Sequence, residues 1–405
     1  MTRAMTDRRR LALLATVGGA VLVAAVAWVY WPTLGNGLVW DDLNGIVAAR
    51  PRRGFGWPAI HWAFTSFVLG HYQPLTWLSF AVDERLWGTR PIGYHVTNLV
   101  LHAVNTLLVA LVALLVFDRA QALQGGAGEG APDPDAARRR GLFAAHCRSL
   151  FAALLAAAIV ALHPLRVESV AWATERRDVL SAFFFLLSTI AYLKREAAES
   201  PTARRNWYGA AFAACLLGLL AKAQVAFPAV LLVLDFWPLG KLTAADGRLD
   251  LRAVFRAVVD KLRFFALSAA FSVSAIRAQA STGALLTTQA HSLFARLVQT
   301  GYGLYFYLRS AFAGSAWYPL YERPVPLDPR EPRYLLPALA GFGITALIFA
   351  GYRRRPALAA AWAVYVVLLL PVLGLTQSGV QLVADRYTYL ACVGWAMLLA
   401  WGVSW

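Results

Sequence analysis

Residues 8–31 read RRRLALLATVGGAVLVAAVAWVYW: three arginines, then an apolar run reaching an aromatic border at Trp28-Val29-Tyr30-Trp31. A stretch of this length without a charge is long enough to cross a bilayer as one helix, and the arginines before it place the tail in the cytoplasm. Ala25-Val26-Ala27 is a small-residue stretch of the kind that is cleaved after a secretory signal. The apolar run continues past it, so the segment reads as a retained first span.

Similar runs recur through the 405 residues. Hydrophobic residues make up 59% and charged residues 15%, with a mean hydropathy of +0.54. Ordinary soluble domains carry about 25% charged residues. A soluble multidomain enzyme, a disordered scaffold and a secreted disulfide module are excluded, and the long Leu/Ala/Val-rich runs exclude a β-barrel. The fold class expected is all-α, a polytopic transmembrane helical bundle. The net charge of +16 comes from basic residues lying between apolar runs. It reads as orientation in the membrane and contact with anionic lipid head groups, not as nucleic-acid binding. Cys147, Cys215 and Cys392 are scattered, with no spacing for a disulfide or a metal.

Residues 1–10 form a basic cytoplasmic tail and 11–405 the transmembrane module. Within it, 32–95 is a long outer loop. Its Trp57, Trp62, Phe64 and Phe67 suggest helices lying in the membrane interface. A second span covers about 96–117, and 118–148, with its Gly, Pro and Arg clusters, reads as a flexible cytoplasmic linker. Further spans are expected at about 149–164 and 179–193, two within 206–239, and then at about 264–280, 334–351, 357–375 and 388–405. The segment 297–313 is apolar but carries Arg309. If it does not cross, the chain has ten spans and Arg353-Arg354-Arg355 lie inside, the preferred solution; if it crosses, there are eleven. The chain stops at Trp405 within an apolar run, which suggests a fragment lacking a downstream domain.

Ionisable residues near membrane depth are costly and mark function. Most of those here fall on the outer side. Asp41-Asp42 follow the first span, either as a general base or cation site or as a helix cap. A divalent ion, Mg²⁺ or Mn²⁺, is possible there, but two carboxylates do not make a metal site. The loop continues through His71-Tyr72-Gln73-Pro74 and Asp83, and can roof a cavity. His95, Asn98, His102 and Asn105 share one helical face, as hydrogen-bonded glue between helices or as substrate contacts. The turn from His163 through Glu168, Glu175, Arg176, Arg177 and Asp178 is dense in both charge signs. Its arginines can grip a phosphate or form an interfacial ion-pair network. Lys222 and Arg386 are further outer cations. Carboxylates and cations beneath an aromatic loop suit transfer from a lipid-anchored phosphate donor to an acceptor arriving from outside.

Seven segments also carry a resemblance: Val39-Trp40-Asp41-Asp42; Tyr72-Gln73-Pro74-Leu75-Thr76; Gly93 to Asn98 with His102; His163-Pro164 through Trp172; Glu175 through Ser181; Leu234-Asp235-Phe236-Trp237-Pro238-Leu239-Gly240; and Ala384 through Tyr389. In this order they resemble bacterial relatives of the transmembrane-and-tetratricopeptide O-mannosyltransferases, of the GT-C glycosyltransferase class. The resemblance implies transfer of a sugar from a polyprenyl-phosphate carrier to a protein or glycan acceptor, at an active site facing outward from a bacterial inner membrane. It implies a catalytic acid at Asp42 or Asp41, Asp42 being favoured, with Glu168 as a second carboxylate. Arg176, Arg177, Lys222 and Arg386 become candidates for the donor phosphate, and Tyr72, Gln73, His95, His163 and Asp178 for other substrate contacts. Two departures stand out. Ala223 follows Lys222 where the pattern has proline, and the tetratricopeptide repeats that follow in relatives are not seen. A flippase for lipid-linked sugar, needing the cations but no base, and a non-enzymatic anchor for a repeat domain are the competing expectations.

Overall fold

Prolines and capping residues set the helix boundaries. In the computed structural model, which describes residues 2–49, 54–124, 134–283, 291–313, 318, 320–375 and 379–404, helix α1 (Thr2–Tyr30) gives way to a 3-10 turn at Trp31-Pro32. The first loop holds a π-helical turn (Leu43–Ala48) and two short helices, α2 (Trp57–Thr65) and α3 (Pro74–Trp87). Pro91, whose missing N–H costs nothing in a first helical turn, opens α4 (Pro91–Gln124). Then come α5 (Pro134–Leu162), α6 (Val167–Ala171), α7 (Arg176–Ala197) and α8 (Pro201–Ala221). The Ser200 hydroxyl caps α8 by accepting from Ala203 N at 3.1 Å. The remainder is α9 (Phe227–Phe236), α10 (Leu251–Asp260), α11 (Leu262–Ser281), α12 (Leu293–Ala313), α13 (Pro332–Ala350), α14 (Pro356–Leu369), α15 (Thr388–Ala391) and α16 (Val393–Val403).

The protein is an all-α membrane protein. Among the described residues, four helices are long and apolar enough to cross a membrane, at Asp7–Gly35, Pro91–Gln121, Gly141–Leu162 and Pro332–Ala350. The other expected spans are present as helices that are shorter or more polar, among them α7, α8, α9, α14 and α16. Both ends of the stretch expected as a linker, 118–124 and 134–148, are helical. Helix α4 runs on to Gln124 and α5 begins at Pro134, because alanine, leucine and arginine are strong helix formers even where the stretch is polar. The last span is broken into α15 and α16 at Cys392.

Helix α7 packs along α8, and α4 lies against α1, α5 and α7. The apolar core runs between α4, α5, α7, α9, α12, α14 and α16. Two short antiparallel strands, β1 (Tyr321–Glu322) and β2 (Gln381–Val383), pair Tyr321 with Val383 and hold the segment that leads into Asp385-Arg386. Helices α12 and α13 approach through glycines. A Cβ on Gly301 would sit 2.6 Å from the Ala338 carbonyl, and one on Gly341 would press on the Gly301 carbonyl. Small residues permit this backbone contact. Gly341→Ala is expected to cost about 1–3 kcal/mol of stability through overpacking, read as a lower midpoint of thermal unfolding in detergent. An unchanged midpoint would mean the two helices can part freely.

Candidate active site

The charged turn folds as three short pieces, Pro164–Arg166, α6 and Ala173–Glu175, before α7 begins at Arg176. Each break turns a different side chain inward. Arg166, Glu175, Arg176, Arg177 and Asp178 are all buried.

Asp42 is fully buried and joins the first loop to this turn. Its Oδ2 accepts from Val39 N at 3.0 Å, and its Oδ1 accepts from Thr174 N at 2.7 Å and from the Thr174 hydroxyl. A carboxylate has about four lone-pair sites. These three bonds fix its orientation and leave one free. Burial, against the hydrogen bonds, pushes the Asp42 carboxyl above the usual range. Trp40, just before it, has φ +49°. A bulky residue in that region is strained by about 1–3 kcal/mol. Its ring meets Trp172 edge-on at 5.5 Å, and Trp172 in turn lies 5.7 Å beneath the Arg386 guanidinium. Trp40 and Trp172 therefore link the Asp41-Asp42 segment to Arg386.

Each of the four cations expected to grip phosphate already meets a carboxylate. Arg176 bonds Asp83 Oδ2 at 2.6 Å and the Tyr94 carbonyl at 2.9 Å, and its Nε donates to Asn98. It is a brace between α7, α3 and α4. Arg177 holds Glu175 with two parallel bonds of 2.9 and 2.5 Å. Lys222 pairs with Asp178, and Arg386 with Glu168 and, at 3.4 Å, with Glu175. Lys222 and Arg386 share a small cavity lined by Asp178, Ser181, Gln224, Tyr387 and Tyr389. Arg177 and Lys222 share a second cavity with Tyr72 and Gln73. Arg176 lines neither.

The carboxylates respond to these partners. Burial alone would raise Glu175, but Arg177 and Arg386 hold it well below the carboxylate range. Glu168 is raised by burial against the pull of Arg386. Asp385 is pushed up to about 6 by burial and then by Glu168. A carboxyl bound more tightly by its proton in the folded state than in the unfolded chain adds stability at low pH. That contribution is lost as pH rises between about 4 and 6. Asp385→Asn, which removes the charge, is therefore expected to be more stable than the parent at pH 7.5 and to lose this advantage by about pH 4. Melting curves across that range check it, and a constant offset would contradict it.

The α4 stripe divides. Asn98 donates to the carbonyls of Val170 and Trp172, His102 meets the Tyr389 hydroxyl at 2.7 Å and the Ala161 carbonyl, and Asn105 donates to the Val179 carbonyl at 2.8 Å. These three are interhelical glue. His95 lies buried near Asp42. His163 accepts from Leu165 N and faces the Ala311 carbonyl, and it lines a separate small cavity beside Arg166, away from Lys222. The sequence singled out neither Thr174 nor Trp172. A hydroxyl or indole carries no charge pattern to reveal it, although both sit inside the charged turn. Asp42 does not fit a cation, since amide and hydroxyl donors already occupy most of its acceptor sites. Among the described residues, no group of three or more His, Cys, Asp or Glu is arranged to hold a metal. Gln377 and Ser378, a few residues before the last motif, lie outside the described residues.

An apolar cavity of about 120 Å³ lies between α4, α7, α9, α14 and α16. It shares Leu368 and Leu390 with the Lys222–Arg386 cavity. Comparison with known proteins bears on this arrangement. The chain is 36% identical over 138 residues to the protein O-mannosyl-transferase TMTC4 of Homo sapiens, a match covering 32% of this chain and 16% of that protein. It is 31% identical over 189 residues to Tmtc1 of Drosophila melanogaster (44% of this chain, 18% of that one) and 30% over 237 residues to Tmtc2 of the same organism (56% and 22%). The similarity is to protein O-mannosyl-transferases. It bears out the resemblance read from the motifs. The chain spans only 16–22% of the length of these three O-mannosyl-transferases. No family model and no solved structure matches it.

Proposed function

We propose that the chain is a membrane glycosyltransferase of GT-C type, moving a sugar from a polyprenyl-phosphate carrier to an acceptor hydroxyl, such as a protein Ser or Thr, outside the cytoplasm. The reading rests on one observation: an apolar cavity that borders a cationic one through the shared walls Leu368 and Leu390. A ligand with a long hydrocarbon tail and a phosphate head matches that pair, and similarity to O-mannosyl-transferases supports the same class of chemistry. Lys222 and Arg386, whose side chains are 24% and 12% exposed, are the accessible cations for the head group.

In the reaction, Asp42 takes the proton of the acceptor hydroxyl. The acceptor oxygen attacks the anomeric carbon as the bond from that carbon to the phosphate oxygen breaks. Lys222 and Arg386 stabilise the charge gathering on the departing polyprenyl phosphate. The acid–base roles of Asp41 and Glu168 are secondary in this scheme, Glu168 serving to orient Arg386.

The test is reconstitution in vesicles with polyprenyl-phosphate-linked radiolabelled sugar and a Ser/Thr peptide. Glycosylated product supports the proposal. Movement of labelled lipid across the bilayer without product would replace it with a flippase, and neither activity would leave an anchor.

A further inference from the structure

The second cavity at Lys222 holds about 60 Å³ and is lined by Gly70, His71, Tyr72, Gln73, Arg177 and Lys222, with Ala223, Ala275 and Gln279 behind. We infer that this cavity receives the hydroxyl edge of the transferred sugar, with Gln73 Nε2 and Arg177 Nη1 donating to its oxygens. The inference rests on the glycosyltransferase reading and adds to it where the sugar sits and what reads it.

Two buried donors carry the argument. Gln73 is 1% exposed and Arg177 6%, and Gln73 Nε2 and Arg177 Nη1 have no hydrogen-bond partner among the described residues. Such groups are costly to bury unpaired and call for an acceptor. Both residues, Gln73 and Arg177, line this cavity. The acceptor they suit is a hydroxyl, not a second phosphate, because Lys222 is engaged by the phosphate of the neighbouring cavity and the other cation here, Arg177, is held by two bonds to Glu175. His71 is held neutral by burial and by Arg177.

The walls are also fixed in advance. The bidentate Glu175 pair sets the Arg177 plane. Tyr72 is held between Phe67 and Phe271, each ring 6.0 Å away. Gly70, at φ +70°, presents its carbonyl to Gln279 Nε2 at 2.7 Å. Thr76 anchors the start of α3 to the Ala221 carbonyl at 2.9 Å, next to Lys222. Because Lys222 borders both cavities, a sugar here would lie directly beside a phosphate held by Lys222 and Arg386.

The experiment compares binding of bare polyprenyl phosphate, its hexosyl ester, and the same ester with the sugar hydroxyls replaced by hydrogen, to the full chain in nanodiscs. The parent is expected to bind the hexosyl ester about tenfold more tightly than bare polyprenyl phosphate, a gain consistent with one or two neutral hydrogen bonds. The deoxygenated ester should show no such gain. Gln73→Leu should lose the gain and keep the affinity for bare phosphate. The deoxygenated ligand tests the idea without any variant, in case that protein folds poorly. Equal affinity of the parent for the bare and hexosyl lipids would overturn the inference while leaving the phosphate site standing. Failure to bind either lipid would remove the glycosyltransferase reading itself, and the inference with it.

Discussion

An Asp42→Asn protein is expected to lose transfer by a factor of about 10²–10⁴, the range for a missing general base, while still binding the lipid donor. Two costs must be separated. Asparagine offers one acceptor oxygen where the carboxylate offers two, so the amide group would face the N–H of Val39 or of Thr174. That leaves a buried donor without a partner, at about 1–3 kcal/mol. Thr174→Val is the control. It removes the hydroxyl bond to Asp42 but keeps the carboxylate and the Thr174 amide bond. Transfer in Thr174→Val should stay within about tenfold of the parent. If both variants lose activity alike, Asp42 is an anchor for the first loop and the base lies elsewhere.

The second large effect is at Lys222. Lys222→Met leaves the Asp178 carboxylate buried, with the Ser169 hydroxyl at 3.0 Å its one remaining side-chain partner among the described residues. Removing one partner of a buried ion pair costs about 3–5 kcal/mol, so this variant should be poorly stable and inactive. Adding Asp178→Asn removes the stranded charge. The double variant is expected to recover most of the unfolding midpoint and none of the transfer, remaining down by about 10²-fold or more. A stable double variant that still transfers sugar would take Lys222 out of the donor site.

Much of this arrangement is visible in the residues alone. The apolar runs mark the helices, since little else can satisfy backbone groups in hydrocarbon. Glu175, Arg177, Lys222 and Arg386 meet because each lies at or beside the end of a helix and those ends pack together. Pairing is what the sequence hides. Nothing in the spacing of Arg176 and Asp83, or of Lys222 and Asp178, shows that each cation has its own acid, because those partners are brought together by helix packing. The same holds for Arg176, which reads as a phosphate contact beside Arg177 yet points to α3 and α4, one helical step around. Helix limits also escaped composition where alanine-rich polar stretches extend α4 and α5.

The matching of every grip to an acid has a kinetic meaning. In the proposed reaction an arriving carrier competes with Asp178 and Glu168 for the same ammonium and guanidinium, so it is held only loosely, and the spent lipid is as easily let go. A pocket tuned this way favours turnover over retention, and product inhibition by the emptied carrier should be weak.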